Sequence, residues 1–201
     1  MIIISYYTKN TPYKKVLEEN LLSSLKHFKT IPYEIEEIEN KGSWQLNTHF
    51  KAEFLKEKLI QHKKPIVFLD VDAQIKKYPY LFDKLENYDI GLHFLDWSKH
   101  WKNEPSNRKD ALSGTLFLNY NKKVFQFLDL WIEKNKTNIQ WEQKNMQEVL
   151  TNFKNELKIY ELPYSYATII LHDNSLPVHM INPNDIVILH TQASRKYKRK
   201  I

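Results

Sequence analysis

A short apolar run from Ile66 to Leu69 ends in Asp70-Val71-Asp72, and this segment constrains the chain most. Four apolar residues followed by carboxylates predict a buried strand. Alternate residues of a strand point to the same side, so Asp70 and Asp72 can face one point while Val71 faces the core. Two such carboxylates repel each other, and a divalent cation removes that cost. Hard oxygen ligands suit Mg²⁺ or Mn²⁺, so the segment predicts either a metal-phosphate site or two solvated aspartates in a turn.

Strand and helix patterns alternate on the way to this segment. Strands are predicted at Ile2–Tyr7 and Tyr33–Ile38, and helical stripes are predicted from Val16 to Leu25 and from Phe50 to Leu59. That order is typical of an α/β domain with a largely parallel sheet. Ligands of such sheets bind at the carboxyl ends of strands, which is where Asp70 and Asp72 are expected.

The second half of the chain continues the mixed pattern. It predicts a short helix at Tyr80–Leu85, strands at Tyr88–Phe94 and Leu112–Asn119, a polar mobile loop at Asp96–Asp110, helices at Val124–Glu133 and Gln143–Phe153, and late strands at Ile159–Leu162 and Ile186–Leu189. There is no internal repeat, low-complexity linker or break in composition. Residues 1–201 are therefore predicted to form a single domain, with residues 191–201 as a basic tail.

Composition excludes several kinds of site. The 201 residues contain no cysteine, which rules out disulfides, thiolate zinc sites and cysteine nucleophiles. Only three glycines occur, and no glycine-rich phosphate loop is present, so a bound phosphate would need a metal and side chains. No apolar run reaches the ~20 residues that span a bilayer, and the first residues lack the features of a signal peptide. The expectation is a cytoplasmic protein.

The net charge of +6 is concentrated at one end of the chain. Residues 195–201 hold five basic side chains. Such a tail can contact a diphosphate, nucleic acid or anionic lipid, or it can be a solvated, frayed terminus. The basic residues form no interleaved groove motif, so no nucleic-acid partner is predicted, while peripheral membrane contact through the tail stays open.

Four segments in this order resemble the GT-A nucleotide-sugar glycosyltransferases, in the family-8-like branch. The segments are Leu69-Asp70-Val71-Asp72-Ala73, Leu112-Ser113-Gly114-Thr115-Leu116-Phe117-Leu118-Asn119, Glu142-Gln143, and His190 followed by Ser194-Arg195-Lys196. The resemblance covers nearly the whole chain. It implies a single Rossmann-like GT-A domain with a mixed, mostly parallel sheet. It also implies transfer of a sugar from a nucleotide diphosphate, with UDP the expected nucleotide, to a hydroxyl of a glycan or similar acceptor.

The resemblance also assigns roles to individual residues. Asp70, Asp72 and His190 would bind Mn²⁺ or Mg²⁺, and an imidazole ligand suits Mn²⁺ better. His172 and His179 compete with His190 for that role. The residues expected around the nucleotide sugar are Tyr7, Thr8, Lys51, Asp70, Val71, Asp72, Ser113, Gly114, Ser194, Arg195 and Lys196. The chain departs from the family pattern at Leu112, where asparagine is usual.

The expected catalytic residues are Glu142, Gln143 and Asp96. Glu142 replaces the usual aspartate of the family motif and would act as a base on the acceptor or steady an oxocarbenium-like state. It also opens a predicted helix, where a carboxylate complements the helix dipole. Asp96 and Asp110 bound the polar loop, and Trp97 and Trp101 offer sugar-binding rings or ordinary core packing.

Two other functions are compatible with parts of the sequence. A haloacid-dehalogenase-like phosphatase also has an apolar strand ending in two aspartates, the first of them a nucleophile. Nearly 70 residues precede Asp70 here, and Ala73-Gln74-Ile75 follows Asp72, which departs from that pattern. A basic nucleic-acid-binding module is the other alternative, suggested by the pI of about 9.2.

Overall fold

The computed structural model of the protein describes residues 1–100 and 108–198. Its strands are β1 (Ile3–Thr8), β2 (Tyr33–Ile38), β3 (Ile66–Leu69), β4 (Ala73–Ile75), β5 (Ile90–Leu92), β6 (Phe94–Asp96), β7 (Lys109–Ala111), β8 (Thr115–Leu118), β9 (Ile159–Glu161), β10 (Thr168–Ile169) and β11 (Ile188–His190). Its helices are α1 (Tyr13–Glu19), α2 (Leu21–Leu25), α3 (Trp44–His49), α4 (Lys51–His62), α5 (Trp97–His100), α6 (Lys122–Thr137), α7 (Glu142–Phe153) and α8 (Ser194–Tyr197). Short 3₁₀ turns lie at Tyr80–Lys84, Tyr164–Tyr166 and Pro183–Asp185.

A mixed, mostly parallel sheet forms the centre of the fold. Within the described ranges its strand order is β2-β1-β3-β8-β5-β9. The strand β8 is antiparallel to β3 and β5, and the β2–β1, β1–β3 and β5–β9 pairs are parallel. The α/β class and the mixed sheet that the sequence predicts are thus confirmed.

The core lies on both faces of this sheet. Strand β3 sends Ile66 and Phe68 into a cluster with helices α4, α6 and α7, and sends Val67 and Leu69 into a second cluster with α1 and α2. A strand buried on both faces needs a continuous apolar run, which explains why the segment before Asp70 carries no polar residue. Both layers hold β3 rigidly, so the position of Asp70 is fixed by packing.

A smaller sheet brings the end of the chain to the aspartates. Strand β4 pairs antiparallel with β11, and His190 stands opposite Ala73. Strand β10 pairs parallel with β11 on its other side. Because Ala73 directly follows Asp72, this register places His190 beside Asp72 although 117 residues separate their positions along the chain.

The largest differences from the sequence prediction lie in two segments. The predicted single strand Tyr88–Phe94 is wrong, because β5 pairs in the central sheet whereas β6 pairs with β7 in a separate two-stranded sheet. The chain changes sheets at His93, whose ring bonds the Leu162 carbonyl. The predicted loop Asp96–Asp110 contains α5 and β7. Its residues 101–107, with Trp101, lie outside the described residues.

One buried histidine of this region is expected to make the stability of the protein depend on pH. His100 is fully buried, and its Nδ1 lies 3.2 Å from the Tyr164 hydroxyl. Burial, aided by the positive charges of Arg195, His179 and His172, lowers the pKa of His100 to about 4. The unfolded state then binds more protons between pH 4 and 6.5, so stability falls as the pH drops through this window.

We expect His100→Gln to flatten that dependence. Binding of one proton by the unfolded state contributes a slope of about 1.4 kcal/mol per pH unit to the free energy of unfolding. Without His100, the loss of this free energy between pH 6.5 and 4 should be smaller by on the order of 3 kcal/mol. Urea denaturation at several pH values measures the slope. His27→Gln, at an exposed histidine, is the matched control and should keep it. Equal slopes for wild type and His100→Gln would contradict the prediction.

Candidate active site

A cleft of about 310 Å³ opens where β1 and β3 end. Most of the residues that the sequence analysis assigns to the site line it: Tyr7, Thr8, Lys51, Asp70, Val71, Asp72, Ser113, Glu142, Gln143, Ser194 and Arg195. Gly114 and His190 are not in its wall, but they contact Asp70 and Asp72 from behind. Asp96 and Lys196 do not line it. The cleft thus brings together segments that are far apart in the sequence.

The turn after β3 holds the two aspartates. The Asp70 carbonyl accepts a hydrogen bond of 2.9 Å from the Ala73 amide, and Val71 packs into the core. The Asp72 carboxylate lies 3.2 Å from His190 Nδ1 and accepts a 2.9 Å bond from the Ala193 amide. Burial raises the pKa of Asp72, but the bonds from His190 and Ala193 outweigh it and hold the pKa below its usual value. Asp72 is therefore ionised at neutral pH.

His190 is fixed through both ring nitrogens. Its Nε2 lies 2.8 Å from the Thr115 hydroxyl, and its Nδ1 faces Asp72. Gly114 stands between this ring and Asp70: a Cβ there would lie 3.1 Å from Asp70 Oδ2 and 3.1 Å from His190 Cε1. Asp70 and His190 therefore lie close on either side of Gly114, a position that admits no side chain without displacement, and Asp72 contacts the same imidazole.

A buried ion network forms the opposite wall. Lys51, the first residue of α4, is 2% exposed, and its ammonium lies 2.8 Å from Glu142 Oε1 and 3.0 Å from Asp70 Oδ1. Burial lowers the pKa of Lys51, but the two carboxylates outweigh it and hold the pKa above its usual value. Lys51 thus stays charged and holds Glu142 and Asp70 on either side of it. A buried lysine is costly without such partners.

Glu142 keeps one oxygen available. The Ser113 hydroxyl donates to Oε1 at 2.8 Å, the same atom that Lys51 binds. The other oxygen, Oε2, is buried and has no hydrogen-bond partner among the described residues. Gln143 is anchored beside it, since its side-chain oxygen accepts a 3.3 Å bond from the Ser113 amide. An unsatisfied buried carboxylate oxygen is costly, and such a cost is common where a ligand completes the site.

The sequence matches no protein-family model and no curated protein sequence. Solved structures do match over nearly the whole chain. A glycosyltransferase involved in the glycosylation of the major capsid of PBCV-1 is 14% identical with a TM-score of 0.64, over 97% of this chain and 96% of that one. The apo form of mouse xyloside xylosyltransferase 1 is 12% identical with a TM-score of 0.60, over 96% and 98%. The chain has the GT-A fold.

A third similar structure carries ligands. The galactosyltransferase LgtC, in complex with donor and acceptor sugar analogs, is 11% identical with a TM-score of 0.56, over 96% of this chain and 87% of that one. The GT-A fold confirms the resemblance that the four motifs suggested. It does not favour the phosphatase or the nucleic-acid module.

The three side chains that the resemblance assigns to a metal ion are engaged with other groups of the protein. In the parts of the chain that the structure describes, no three histidine or acidic side chains form a cluster that could hold a metal ion. Asp70 turns toward Lys51, and Asp72 is bonded by His190 and Ala193. Two carboxylates and an imidazole nevertheless suit Mn²⁺ by ligand type, and Asp70 and His190 lie close on either side of the bare backbone of Gly114. His172 and His179 do not line the cleft.

The basic tail folds onto the cleft as far as it is described. The Arg195 guanidinium donates to the carbonyls of Leu171 at 2.7 Å and Ile170 at 3.0 Å. Lys196 instead lies over the Tyr197 ring. The position expected for Lys196 is taken by Lys198, whose ammonium lies 4.9 Å from the Trp141 ring centroid. This packing gives no support to membrane contact, and no helix in the described ranges is long and apolar enough to cross a membrane.

Aromatic residues missed by the sequence analysis complete the walls. Trp44 Nε1 donates to the Tyr13 hydroxyl at 3.0 Å, and Lys198 also lies 6.0 Å from the Trp44 ring centroid. Tyr197 packs edge-on against Tyr13. Neither Trp44 nor Trp141 belongs to a recognisable motif. The only signal in the sequence for a role of either residue was the position of Trp141 just before Glu142. Tyr7 contributes through its position at the end of β1, with its hydroxyl directed to Glu37.

Proposed function

We propose that this protein is a metal-dependent glycosyltransferase. It moves a sugar from a nucleotide diphosphate donor, with a UDP-sugar as the expected donor, to a hydroxyl of a glycan or similar acceptor. One observation supports the proposal: within a GT-A fold, Asp70 and His190 flank Gly114 and Asp72 contacts His190 after the end of β3, beside the buried Lys51–Glu142 pair. Residues 1–201 are proposed to act as one domain, since the similar structures cover nearly all of them.

Asp70, Asp72 and His190 would hold the metal ion, Mn²⁺ or Mg²⁺. The cation, when bound, neutralises negative charge on the leaving diphosphate. Lys51 remains beside Glu142 when Asp70 turns to a metal, so the network keeps one ion pair in either state. Arg195 and Lys198 line the same cleft and supply further positive charge toward the diphosphate.

Glu142 and Gln143 act on the sugar side. In the transfer, the bond between the anomeric carbon and the diphosphate oxygen breaks, a bond to the acceptor oxygen forms, and the acceptor hydroxyl loses its proton. The free oxygen of Glu142, Oε2, either accepts this proton or faces the positive charge that develops on the sugar. Lys51 and Ser113 hold the other oxygen, so the carboxylate is oriented before substrate binds.

Thermal unfolding with a panel of nucleotide sugars tests the proposal. UDP- and GDP-sugars are added with Mn²⁺ or with EDTA, and a ligand at ~100 times its dissociation constant should stabilise the protein by ~2.7 kcal/mol. We expect one nucleotide class to raise the melting temperature only with the metal. If no nucleotide sugar stabilises the protein, the transferase proposal fails. Equal stabilisation in EDTA would show that nucleotide binding needs no metal ion, and the metal dependence in the proposal would be wrong.

Gly114→Ala tests whether a side chain between Asp70 and His190 disturbs the proposed metal site. The new Cβ would lie 3.1 Å from Asp70 Oδ2 and from His190 Cε1, so one of the two must move. We expect the affinity for UDP in Mn²⁺ to fall by about tenfold, the loss of ~1.4 kcal/mol that a displaced ligand would cause. Isothermal titration calorimetry measures this affinity.

Gly91→Ala is the matched control for this substitution. Its Cβ would meet Leu85 and Phe117 at the same 3.1 Å, but in the apolar core. That variant should lose stability while its folded fraction binds UDP as wild type does. An equal effect of both substitutions on UDP affinity would show that general crowding, and not the ligand geometry, is responsible.

A further inference from the structure

A second cleft lies beside the first, and the two share Trp141 and Gln143. Its volume is about 630 Å³, within the range of small-ligand sites. Its other described walls are Arg108, Asp110, Gln140, Lys144 and Gln147. We infer that this second cleft is the acceptor site and that it takes a sugar carrying an anionic group, a carboxylate or a phosphate. The inference rests on the proposed transferase function and names its acceptor class.

The position of the second cleft meets the geometric need of an acceptor site. An acceptor hydroxyl must reach the donor sugar, so its site must open onto the donor cleft close to the catalytic group. Trp141 and Gln143 flank Glu142 in the sequence, and both belong to the walls of the two clefts. A sugar in the second cleft would therefore reach the first cleft at Glu142.

Trp141 offers the surface on which a sugar ring would lie. Its side chain precedes the first residue of α7 and is 54% exposed, which is unusual for an indole. Lys198 approaches the same ring from the first cleft. A large exposed indole at the junction of two polar clefts provides an apolar face for the C–H surface of a sugar, while the surrounding groups bind its oxygens.

Three of the four acceptor side chains of the second cleft, those of Asp110, Gln143 and Gln147, already receive hydrogen bonds from the protein, whereas Gln140 uses only its side-chain nitrogen among the described residues, on Glu148. The Asp110 carboxylate pairs with Arg108 and accepts a 2.8 Å bond from Trp97 Nε1. The Gln147 amide is satisfied at both ends, since its oxygen accepts from the Ala111 amide at 3.0 Å and its nitrogen donates to the Lys109 carbonyl at 3.1 Å. A ligand donor group would therefore meet one open acceptor, the Gln140 side-chain oxygen, and would elsewhere have to share an acceptor with an existing partner.

The other open groups of the second cleft are donors, and one of them carries a positive charge. Lys144 is exposed, and no carboxylate of the described residues lies within 4.0 Å of its ammonium. Glu148, one turn further along α7, is instead held by Lys134 at 2.6 Å and by Gln140 at 2.9 Å. The Gln143 side chain uses its oxygen on Ser113, which leaves its amide hydrogens for a ligand. An ammonium and an amide NH₂ beside an indole favour a sugar with a negative charge.

Three simple probes separate the charge of a ligand from its sugar ring. They are methyl glucoside, methyl glucuronide and methyl glucoside 6-phosphate, titrated into the protein without donor and followed by NMR. We expect the anionic probes to bind about fivefold tighter than the neutral one, the effect of one partly solvated ion pair. A preference for only one of them identifies carboxylate or phosphate as the natural group. Equal binding of all three, or no binding, overturns the inference.

Variants assign the probe binding to this cleft. Lys144→Gln should abolish the anionic preference, whereas Lys154→Gln, with the same charge change at the far end of the same helix, should keep it. Trp141→Ala should weaken all three probes by about tenfold. An anionic preference that survives Lys144→Gln overturns the assignment.

A parallel measurement separates this inference from the proposed function. UDP affinity in Mn²⁺ should be the same in wild type and Lys144→Gln, because Lys144 lies outside the first cleft. Absent UDP binding in the wild type counts against the transferase, whatever the probes do. Normal UDP binding together with failed probe binding counts against the acceptor site alone.

Discussion

Glu142→Gln is expected to reduce the turnover of sugar transfer by ~10²-fold or more while nucleotide affinity stays nearly unchanged. Glutamine keeps the shape of the side chain and an oxygen for Lys51 and Ser113, which now hold Oε1. It removes the negative charge and replaces a carboxylate oxygen with an NH₂ group. An interaction made mainly in the transition state would be lost, and binding of the ground state would remain.

Steady-state kinetics with the donor identified by thermal unfolding measures this effect, alongside titration with UDP. Glu57→Gln, an exposed residue of α4, is the matched control and should leave both quantities unchanged. NMR of the first product then gives its anomeric configuration, which decides between a base and an oxocarbenium-stabilising role. Full activity of Glu142→Gln would reduce Glu142 to a helix-start residue. Asp110 would then be the nearest alternative, because it lines the second cleft whereas Asp96 lines neither.

The part of the site that follows from the sequence is local. The apolar run of β3 predicts a buried strand followed by two carboxylates, and the structure has both, but β3 ends at Leu69 and a turn, not strand alternation, positions Asp70 and Asp72. The strand boundaries of β2 and β3 also agree with their predictions. These features depend on neighbouring residues, whose periodicity reports burial directly.

The contacts that complete the site are long-range. Lys51 and Glu142 are 91 positions apart, and neither residue carries a signal for the other. Their pairing depends on how α4 and α7 pack against the same face of the sheet. The resemblance to GT-A enzymes placed both residues near the donor, but the ion pair and the free oxygen of Glu142 emerge only from the packing.

The sequence also did not predict which lysine of the basic tail lines the cleft, although the residues concerned are close together in the chain. The family resemblance assigned Lys196 to the site, yet Lys198 lines the cleft. Residues two apart on a helical turn point in different directions, so a change in where α8 begins exchanges one lysine for the other. Gln192, at φ 53°, turns the chain sharply just before α8 and sets that starting point. A backbone turn of this kind has no reliable signature in a glutamine.

Asp70→Asn and Asp72→Asn should each abolish metal-dependent binding of UDP, by different routes. The Asp70 carboxylate is 40% exposed and pairs with Lys51, so its loss should remove a proposed metal ligand with little effect on the fold. Asp72 also receives the Ala193 amide and faces His190, so it ties α8 and β11 to the turn after β3. Its substitution removes a ligand and also loosens the wall of the cleft.

Titration with UDP in Mn²⁺ and in EDTA, together with urea denaturation, separates these effects. Asp70→Asn should lose binding at wild-type stability, and Asp72→Asn should lose binding together with about 1–3 kcal/mol of stability, the cost of broken charge-assisted hydrogen bonds. Asp185→Asn, at an exposed aspartate outside the cleft, should change neither. If Asp70→Asn binds UDP equally well in Mn²⁺ and in EDTA while Asp72→Asn loses binding, Asp72 acts by holding the tail in place. The carboxylate pair then does not bridge to the diphosphate through a metal, and the positive charge of Arg195 and Lys198 has to hold the nucleotide instead.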